Sequence, residues 1–199
     1  MDRKELEMKL QKLEGFSEPK AVLEQYRTPA RIASTLLWKA YMSGEIKGKK
    51  VCDLGCGTGT LAIGAKLLGA SEVVGVDVDE GAIETARKNA ERLDVTVEFE
   101  ASEIGEFRAE ADLVVQNPPF GSQKKGNDRP FIRKSLEIAP TVYSFHMSET
   151  EEFVKEYVKD LGGRIAFKER LKFPLSRTMP WHDEDLRTIK VTLYRFERS

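Results

Sequence analysis

Cysteine, histidine and long apolar segments are scarce in this sequence. Its 199 residues include two cysteines and two histidines. Cys52 and Cys56 flank a glycine turn, and the chain has no further cysteine that could complete a disulfide framework or a zinc site. We therefore predict two reduced, semi-buried thiols and no metal site.

Membrane-spanning and secretory segments are also missing from the sequence. No run approaches the ~18 consecutive apolar residues of a membrane helix, and the opening stretch MDRKELEMKL lacks the apolar core of a signal peptide. The composition, 40% hydrophobic and 33% charged, is typical of a globular protein. We expect one cytoplasmic domain over residues 1–199.

The chain has no large excess of charge of either sign, since its formal net charge is −1. That value argues against a protein that holds nucleic acid by bulk electrostatics alone. The two signs are nevertheless unevenly distributed: residues 1–120 contain 16 basic and 21 acidic side chains, and residues 121–199 contain 16 and 12. The asymmetry is a weak indication of a polyanionic partner, and charges scattered over solvated faces would also explain it.

From residue 50 onward, short apolar stretches alternate with amphipathic ones. The pattern predicts strands at residues 50–54, 72–78, 95–101, 111–117, 141–146, 163–173 and 188–198, with helices between most of them and two helices before the first strand. Alternating strands and helices favour an α/β fold with a mostly parallel sheet covered on both faces. The last two strands indicate an antiparallel ending.

The stretch VCDLGCGTGTL joins the end of a strand to the start of a helix through a glycine turn. Gly55, Gly57 and Gly59 permit a positive φ and let a ligand approach the backbone closely. The third glycine comes one residue too early for the dinucleotide fingerprint, which argues against NAD as the ligand. Taken alone, the turn could also be a tight strand-to-helix connection.

Acidic residues at the ends of the first two strands support a nucleoside pocket. Asp77 ends the second strand, where a carboxylate can accept hydrogen bonds from both hydroxyls of a ribose. Asp53, near the end of the first strand, could orient the turn or sense a positively charged ligand. Ser102 and Glu103 follow the third strand, within reach of a base edge. The crevice beyond the strand ends is where open α/β sheets bind their ligands.

The motif D-L-G-C-G-T-G, followed by V-D-V-D, resembles the class I methyltransferases that use S-adenosylmethionine. The resemblance implies a Rossmann-like fold with a seven-stranded sheet. It also implies that the glycine turn passes the methionine part of the cofactor, that the acid after the second strand holds the ribose, and that a residue after the third strand contacts adenine. Members of the class often have Asp in that last place, where this chain has Ser102.

The stretch QNPPFG, residues 116–121, ends the fourth predicted strand. Asn117 precedes Pro118 and Pro119, which favour an extended and stiff backbone. The Asn117 side-chain oxygen and the Pro118 carbonyl could accept hydrogen bonds from an amino group conjugated to a ring or a carbonyl. Such bonds favour a pyramidal nitrogen whose lone pair is free to attack, so that catalysis would rest on positioning and electrostatics. Phe120 provides a face for a flat base, and the alternative is a strand-ending turn with a core aromatic.

N-P-P-[FYW] resembles the signature of methyltransferases that act on adenine N6, cytosine N4 or the glutamine side-chain amide. With LEQYRTPARIASTLL, NPPFGSQKKGND and VYSFHMSET, it resembles the small-subunit ribosomal RNA adenine-N6 methyltransferases from about residue 23 to residue 196. That resemblance implies that Gln25, Tyr26 and Thr28 fold over the cofactor and target pocket, although Arg27 stands where relatives often have proline. We accordingly expect a helical lid at residues 1–45 and a catalytic core at residues 46–199.

Two other functions remain as alternatives. The first is a glutamine methyltransferase that acts on a translation release factor, although such enzymes typically have Tyr after N-P-P where this chain has Phe120. The second is a non-catalytic RNA-binding assembly factor on the same scaffold, which would not need an intact N-P-P-F motif. A DNA substrate is disfavoured because the chain has little room to unstack a duplex base, whereas ribosomal RNA can present a splayed adenine.

The candidate site residues fall into three groups. Catalysis is assigned to Asn117, Pro118, Pro119 and Phe120. The predicted cofactor-binding residues are Gln25, Tyr26, Thr28, Asp53, Gly55, Gly57, Thr58, Gly59, Asp77, Val78, Ser102, Glu103 and Asn117. The predicted RNA-binding residues are Phe120, Lys124, Lys125, Arg129, His146 and Trp181. A solvated surface loop is an equally good interpretation for Lys124, Lys125 and Arg129, packing against the sheet edge is at least as good for Trp181, and a satisfied hydrogen-bonding histidine is preferred for His146.

The resemblance also implies a protein partner. Relatives work with a small zinc-binding activator, Trm112, which adds a strand to the sheet. In the usual methyltransferase strand order, the third predicted strand, near Val95–Ala101, lies at an edge, and an apolar edge strand invites strand addition. We therefore predict pairing with a Trm112-like activator along this strand.

Overall fold

The structure, a computed structural model, describes residues 1–121, 126–176 and 186–198. One mixed sheet forms its centre. The strands are β1 (Lys50–Leu54), β2 (Glu72–Asp77), β3 (Glu98–Ala101), β4 (Leu113–Gln116), β5 (Thr141–Met147), β6 (Gly163–Ser176) and β7 (Leu186–Arg198). They lie in the order β3-β2-β1-β4-β5-β7-β6.

Helices cover both faces of this sheet. They are α1 (Arg3–Gln11), α2 (Ala30–Met42), α3 (Thr60–Leu67), α4 (Glu80–Arg92), α5 (Arg129–Ile138) and α6 (Glu151–Asp160), with short 3₁₀ turns at Ala21–Leu23 and Ser148–Thr150. Buried apolar side chains form one cluster on each face of the sheet. In the part of the chain that the structure describes, no helix is long and apolar enough to span a membrane.

The strand directions confirm the predicted fold class. Strands β1 to β5 pair in parallel, whereas β7 runs antiparallel to both β5 and β6. Strand β4 is buried along its whole length, as expected for a central parallel strand covered on both faces. The parallel arrangement brings the carboxyl ends of β1, β2 and β4 to the same edge, where the predicted site residues follow.

The N-terminal helices pack against the core of the sheet. Leu6 and Leu10 of α1 are fully buried and belong to the same apolar cluster as the residues of α2 and α3. A Cβ atom at Gly64 would lie 2.3 Å from Leu37, so glycine at this position permits the close approach of α2 and α3. Residues 1–45 therefore share their core with the rest of the domain.

Several predicted strand boundaries differ from the observed ones, and the start of β3 and the length of the β6–β7 ladder differ most. Strand β3 begins at Glu98 and not at Val95, because the Val95 N–H donates to the Ala90 carbonyl at 3.1 Å and so completes the end of α4. Asp94, just before it, has a left-handed φ of 52°, which turns the chain towards the sheet. The β6–β7 ladder is longer than predicted and reaches Ser176 paired with Leu186.

Candidate active site

A cavity of about 330 Å³ opens at the carboxyl ends of β1, β2 and β4. The N-terminal segment around residues 22–28 forms its outer wall. The predicted residues that line it are Gln25, Tyr26, Thr28, Asp53, Gly55, Gly57, Thr58, Asp77, Val78, Ser102, Glu103, Asn117 and Pro119. Gly59, Pro118 and Phe120 belong to the same two loops without being part of the lining.

The glycine turn needs glycine for both its backbone angles and its close contacts. Gly55 and Gly57 have φ values of 69° and 52°, which side chains rarely adopt. A Cβ at Gly57 would lie 2.8 Å from the ring of Phe16, and a Cβ at Gly55 would lie 2.9 Å from the ring of Phe131. Both rings line the cavity, and sequence reasoning missed them because neither belongs to a motif.

Asn89 connects the glycine turn to the N-terminal segment. Its side-chain N–H groups donate to the Thr58 carbonyl at 2.9 Å and to the Glu14 carbonyl at 3.0 Å. Its side-chain oxygen accepts from the Glu14 N–H at 2.8 Å. Asn89 is buried in α4, and a buried polar residue in an otherwise amphipathic helix was the available sequence signal for this role.

Asp77 fixes the shape of the glycine turn. Its carboxylate accepts from the Gly57 N–H at 2.9 Å and from the Asp79 N–H at 3.0 Å. Burial raises the pKa of this carboxyl, while the backbone hydrogen bonds partly oppose the shift. Each carboxylate oxygen has two lone pairs, so both oxygens can accept a further hydrogen bond from a ligand.

Asp53 is a buried acid with one unused oxygen. Its Oδ2 accepts from the Ala62 N–H at 2.9 Å, while its Oδ1 is buried and has no partner among the described residues. Burial raises the pKa of this carboxyl to about 8. The same burial raises the pKa values of Cys52 and Cys56, so both thiols stay protonated.

The segment over the cavity is held by side chains at both of its ends. Gln25 donates to the Asp79 carboxylate at 2.6 Å and accepts from the Lys20 N–H at 2.8 Å, while the Lys20 ammonium pairs with Asp79 at 2.7 Å. The Arg27 guanidinium donates to the Leu10 carbonyl at 2.5 Å. Gln25 and Arg27 therefore anchor this segment to α4 and α1.

Asn117 lies directly after β4 with its amide held in one orientation. Its Nδ2 donates to the Thr28 hydroxyl at 2.9 Å. Its Oδ1 is buried and accepts no hydrogen bond from any residue that the structure describes. Leaving a buried acceptor unsatisfied costs ~1–3 kcal/mol, so a ligand N–H group at this oxygen would be stabilising.

Aromatic rings surround the residues after Asn117. The ring of Phe120 stacks on that of Tyr26 with centroids 5.3 Å apart, and Phe173 meets both rings edge-on at 5.7 and 5.8 Å. Phe145 lies behind Phe173, 6.3 Å from it. Sequence reasoning missed Phe173, and the available signal was its position on the alternating apolar face of β6.

The predicted RNA-binding residues have different placements. Arg129 is exposed at the start of α5, with its guanidinium 4.8 Å from the ring centre of Phe153. Lys124, Lys125 and Trp181 lie outside the described residues.

His146 is buried away from the cavity, and both of its ring nitrogens have partners. Its Nε2 lies 2.7 Å from Ser144 Oγ, and its Nδ1 lies 3.0 Å from an Asp128 carboxylate oxygen. Gln116 donates to the same Ser144 hydroxyl at 3.0 Å. The order Ser-His-Asp is that of a hydrolase triad, but Ser144 is 0% exposed and does not line the active-site cavity. The chain of bonds instead connects β4, β5 and the start of α5.

Comparison with known proteins gives two kinds of similarity. A family model described as ribosomal protein L11 methyltransferase (PrmA) matches residues 34–118, which span the glycine turn and end within N-P-P. L11 methyltransferase of Thermotoga neapolitana is 47% identical, but the match covers only 45% of this chain and 33% of that enzyme. This first similarity is therefore confined to part of the domain.

The second kind of similarity covers the whole chain. The protein MJ0284 of Methanocaldococcus jannaschii is 39% identical over 98% of this chain and 94% of its own length. The crystal structure of PH1948 from Pyrococcus horikoshii, described as a candidate RNA methyltransferase, is 42% identical with a TM-score of 0.94 and covers 100% of this chain and 98% of its own. The zebrafish rRNA N(6)-adenosine-methyltransferase METTL5 is 35% identical over 98% of this chain and 99% of its own length. The chain therefore belongs to the METTL5 family of rRNA N6-adenosine-methyltransferases.

Proposed function

We propose that this protein transfers a methyl group from S-adenosylmethionine to N6 of an adenosine in small-subunit ribosomal RNA. The observation that supports this function most directly is the Asn117 amide. Thr28 accepts a hydrogen bond from its nitrogen, which leaves its buried oxygen as an acceptor for an amino group. METTL5, which is similar to this protein over 98% of the chain, is named as an rRNA N(6)-adenosine-methyltransferase.

The residues of the cavity suit the proposed cofactor. Asp77, with lone pairs left on both oxygens, would hold the two ribose hydroxyls, and the glycine turn would lie against the methionine part. The unpaired oxygen of Asp53 provides a negative charge, when ionised, for a positively charged ligand. When bound, S-adenosylmethionine supplies an electrophilic methyl group on a sulfonium.

Asn117 and Pro118 would activate the target amine without removing a proton first. The N6 lone pair of adenine is delocalised into the ring, which makes the amine a poor nucleophile. Hydrogen bonds from its two N–H groups to Asn117 Oδ1 and the Pro118 carbonyl favour a pyramidal nitrogen and expose the lone pair. Catalysis then depends on positioning and on acceptors that are already oriented before the reaction.

Phe120 and Tyr26 would form the stacking surface for the adenine ring. Their centroids are only 5.3 Å apart, which leaves no room for a third ring between them. A base that stacks on Phe120 therefore uses the face turned away from Tyr26 or displaces the Tyr26 ring. Base-to-aromatic stacking contributes ~1–3 kcal/mol per base in single-stranded recognition.

Incubation with labelled cofactor tests the substrate class. The protein, with and without a Trm112-like activator, is given either small ribosomal subunits or a translation release factor. We expect label in the ribosomal RNA, and nuclease digestion should recover it as N6-methyladenosine. Label found only in the release factor would support glutamine methylation instead, and no label in either would favour a non-catalytic scaffold. The same proposal includes a cytoplasmic location.

The same proposal includes a Trm112-like partner that pairs with β3. This strand lies at a free edge of the sheet. Ser102 donates its N–H to the Asp77 carbonyl of β2, so by alternation the Ala101 N–H points away from β2 and towards the open edge. Ala101 is exposed, and its N–H is therefore available to an added strand.

Replacing Ala101 tests this pairing with little disturbance of the core. Ala101→Pro removes the outward N–H, and proline is tolerated on edge strands. We expect it to abolish co-purification with the activator, whereas the control Ala101→Val, which keeps the N–H, should retain it. Equal binding of the activator by both variants would exclude strand addition at this edge.

A further inference from the structure

The β6–β7 hairpin extends beyond the rest of the sheet on the side of the cavity. Strand β5 ends at Met147, which pairs with Val191, whereas β7 continues past Val191 to Leu186. At ~3.4 Å per residue, these five further residues extend the hairpin by roughly 17 Å. The extension leaves the sheet at the carboxyl end of β5, the same edge from which Asn117 follows β4.

One face of this extension belongs to the aromatic wall of the active site. Phe173 of β6 is fully buried and contacts the rings of Phe120 and Tyr26. Its cross-strand partner Ile189 is partly buried against the same apolar cluster. The hairpin is thus in direct contact with the residues that would hold the target base.

The opposite face presents two lysines directly across from each other. Lys172 pairs with Lys190 in the antiparallel register, and both are exposed. Farther down the same face, Lys168 and Arg170 are both paired with Glu151. Over residues 1–121, 126–176 and 186–198, no acidic side chain pairs with Lys172 or Lys190. Like charges directly opposite on neighbouring strands are destabilising, so this pair has a cost in the free protein.

The distance from these lysines to the target site suits a short stretch of nucleic acid. Gln116 of β4 pairs with Ser144 of β5, which pairs with Tyr194 of β7. One residue farther along, Asn117 therefore lies at the same height in the sheet as Leu193. Lys190 lies three residues beyond Leu193 along β7, and β7 is two strands away from β4. Spacings of ~3.4 Å per residue and ~4.8 Å per strand place it roughly 10 Å beyond Asn117 and roughly 10 Å to the side.

We propose that Lys172 and Lys190 bind phosphates of the RNA strand that flanks the methylated adenosine. An anion between the two ammonium groups removes their mutual repulsion, and the adjacent aromatic wall fixes the distance from that phosphate to the target base. This assignment rests on the proposed function and adds to it a second, sequence-independent contact, because phosphate contacts position a strand without reading its bases. The two lysines contribute to the basic excess of residues 121–199.

The double variant Lys172→Gln with Lys190→Gln tests the assignment by salt titration. The probe is a fluorescent single-stranded RNA of about 12 nucleotides that contains one adenosine. Neutralising two phosphate contacts should reduce the slope of log K against log salt by roughly 1.4 and weaken binding by roughly tenfold at low salt. The same variant should have a slightly higher melting temperature than wild type without RNA, because the cross-strand repulsion is gone.

The matched control is Lys4→Gln with Lys88→Gln, which removes two exposed lysines from α1 and α4. It should keep the wild-type slope and affinity, and both double variants should bind the cofactor as wild type does. An unchanged slope in the hairpin variant, or an equal change in the control, would overturn the assignment. Methylation of ribosomal RNA by the wild-type protein is measured separately. If RNA binding depends on the two hairpin lysines but no RNA is methylated, the proposed function is contradicted and the assignment of the lysines is not.

Discussion

The cavity has a cofactor half, around Asp53 and Asp77, and a target half, around Asn117. Different kinds of contact hold the side chains of these two halves in place. In the cofactor half, Asp53 and Asp77 accept hydrogen bonds from three backbone N–H groups and fix the loops around them. In the target half, the Asn117 side chain has one hydrogen bond with the described residues, to Thr28, and the other contacts there are between aromatic rings. The first half is fixed by backbone polar contacts, and the second by packing between distant parts of the chain.

The two halves also depend on different parts of the sequence. The backbone groups of the cofactor half come from a short stretch, residues 53–79, and local sequence determines their geometry. The rings of the target half come from residues 26, 120 and 173, which meet only when the whole sheet has formed. Substitutions should therefore separate cofactor affinity from RNA turnover. The first three of the four changes below test that separation, and the fourth tests the burial of Asp53.

Asn117→Ala should have the largest effect. It removes the acceptor for the target amine, and loss of one oriented group of this kind typically lowers turnover by ~10²–10³-fold. Cofactor affinity should stay within several-fold of wild type, because no backbone contact of the glycine turn is lost. Single-turnover methylation and calorimetric cofactor binding measure the two quantities. Parallel losses in both would contradict the division of the cavity into two halves.

Asp77→Ala should act on the other half. It removes the acceptor of the Gly57 and Asp79 N–H groups and the proposed ribose contact. Hydrogen bonds to a charged group contribute ~1.5–3 kcal/mol, so the dissociation constant of the cofactor should rise by roughly 10–100-fold. The exposed neighbour Glu80→Ala serves as the control and should bind normally. Turnover at saturating cofactor should recover more fully than in Asn117→Ala.

Phe173→Leu tests the aromatic wall against a matched neighbour. Both Phe173 and Phe145 are fully buried, but only Phe173 contacts Phe120 and Tyr26. Each leucine substitution should lower the unfolding free energy by a similar amount, of order 1 kcal/mol. Only Phe173→Leu should raise the KM for RNA, by at least the roughly 2–10-fold that corresponds to one lost aromatic pair, since Phe173 contacts two rings of the site. A rise of equal size in Phe145→Leu would show that general core loosening is responsible.

Asp53→Asn should have the smallest effect, visible as a change in pH dependence. The folded pKa of about 8 lies above the ordinary value of 3.8, because burial disfavours the carboxylate. Between these values the folded state holds a proton that the unfolded state has released, so stability falls as pH rises towards 8. The asparagine variant lacks this titrating group. The melting temperature of the variant minus that of wild type should therefore increase by a few degrees from pH 5 to pH 8. A constant difference across this range would exclude the linkage.

The same contrast explains which features the sequence predicts. Gly55, Asp77 and Asn117 follow strand ends within recognisable motifs, and parallel strands bring such positions together, so their presence in one cavity was predictable. The rings of Phe16 and Phe131 have no local signal, and the alternating pattern of β6 marks Phe173 only as an apolar strand residue. Each ring reaches the site through packing of a separate element.

Two residues mark a further limit of sequence reasoning. His146 was a candidate for the RNA site with a satisfied buried histidine as the favoured alternative, and the structure places it in a buried chain of hydrogen bonds with Ser144 and Asp128. The start of β3 was predicted too early because Val95 fits an apolar strand pattern as well as it fits the closing turn of α4. In both cases the residue type suited two environments, and only tertiary contacts decided between them.

The anchored segment over the cavity couples the cofactor half to the target half. Its Gln25 is bonded to Asp79 beside the cofactor half, and its Thr28 holds the Asn117 amide in the target half. Any outward movement of this segment that frees the cofactor pocket also removes Thr28 from Asn117 and Tyr26 from Phe120. If the spent cofactor leaves by such a movement, its exchange takes the target site apart, and we then expect each encounter with RNA to end after a single methyl transfer.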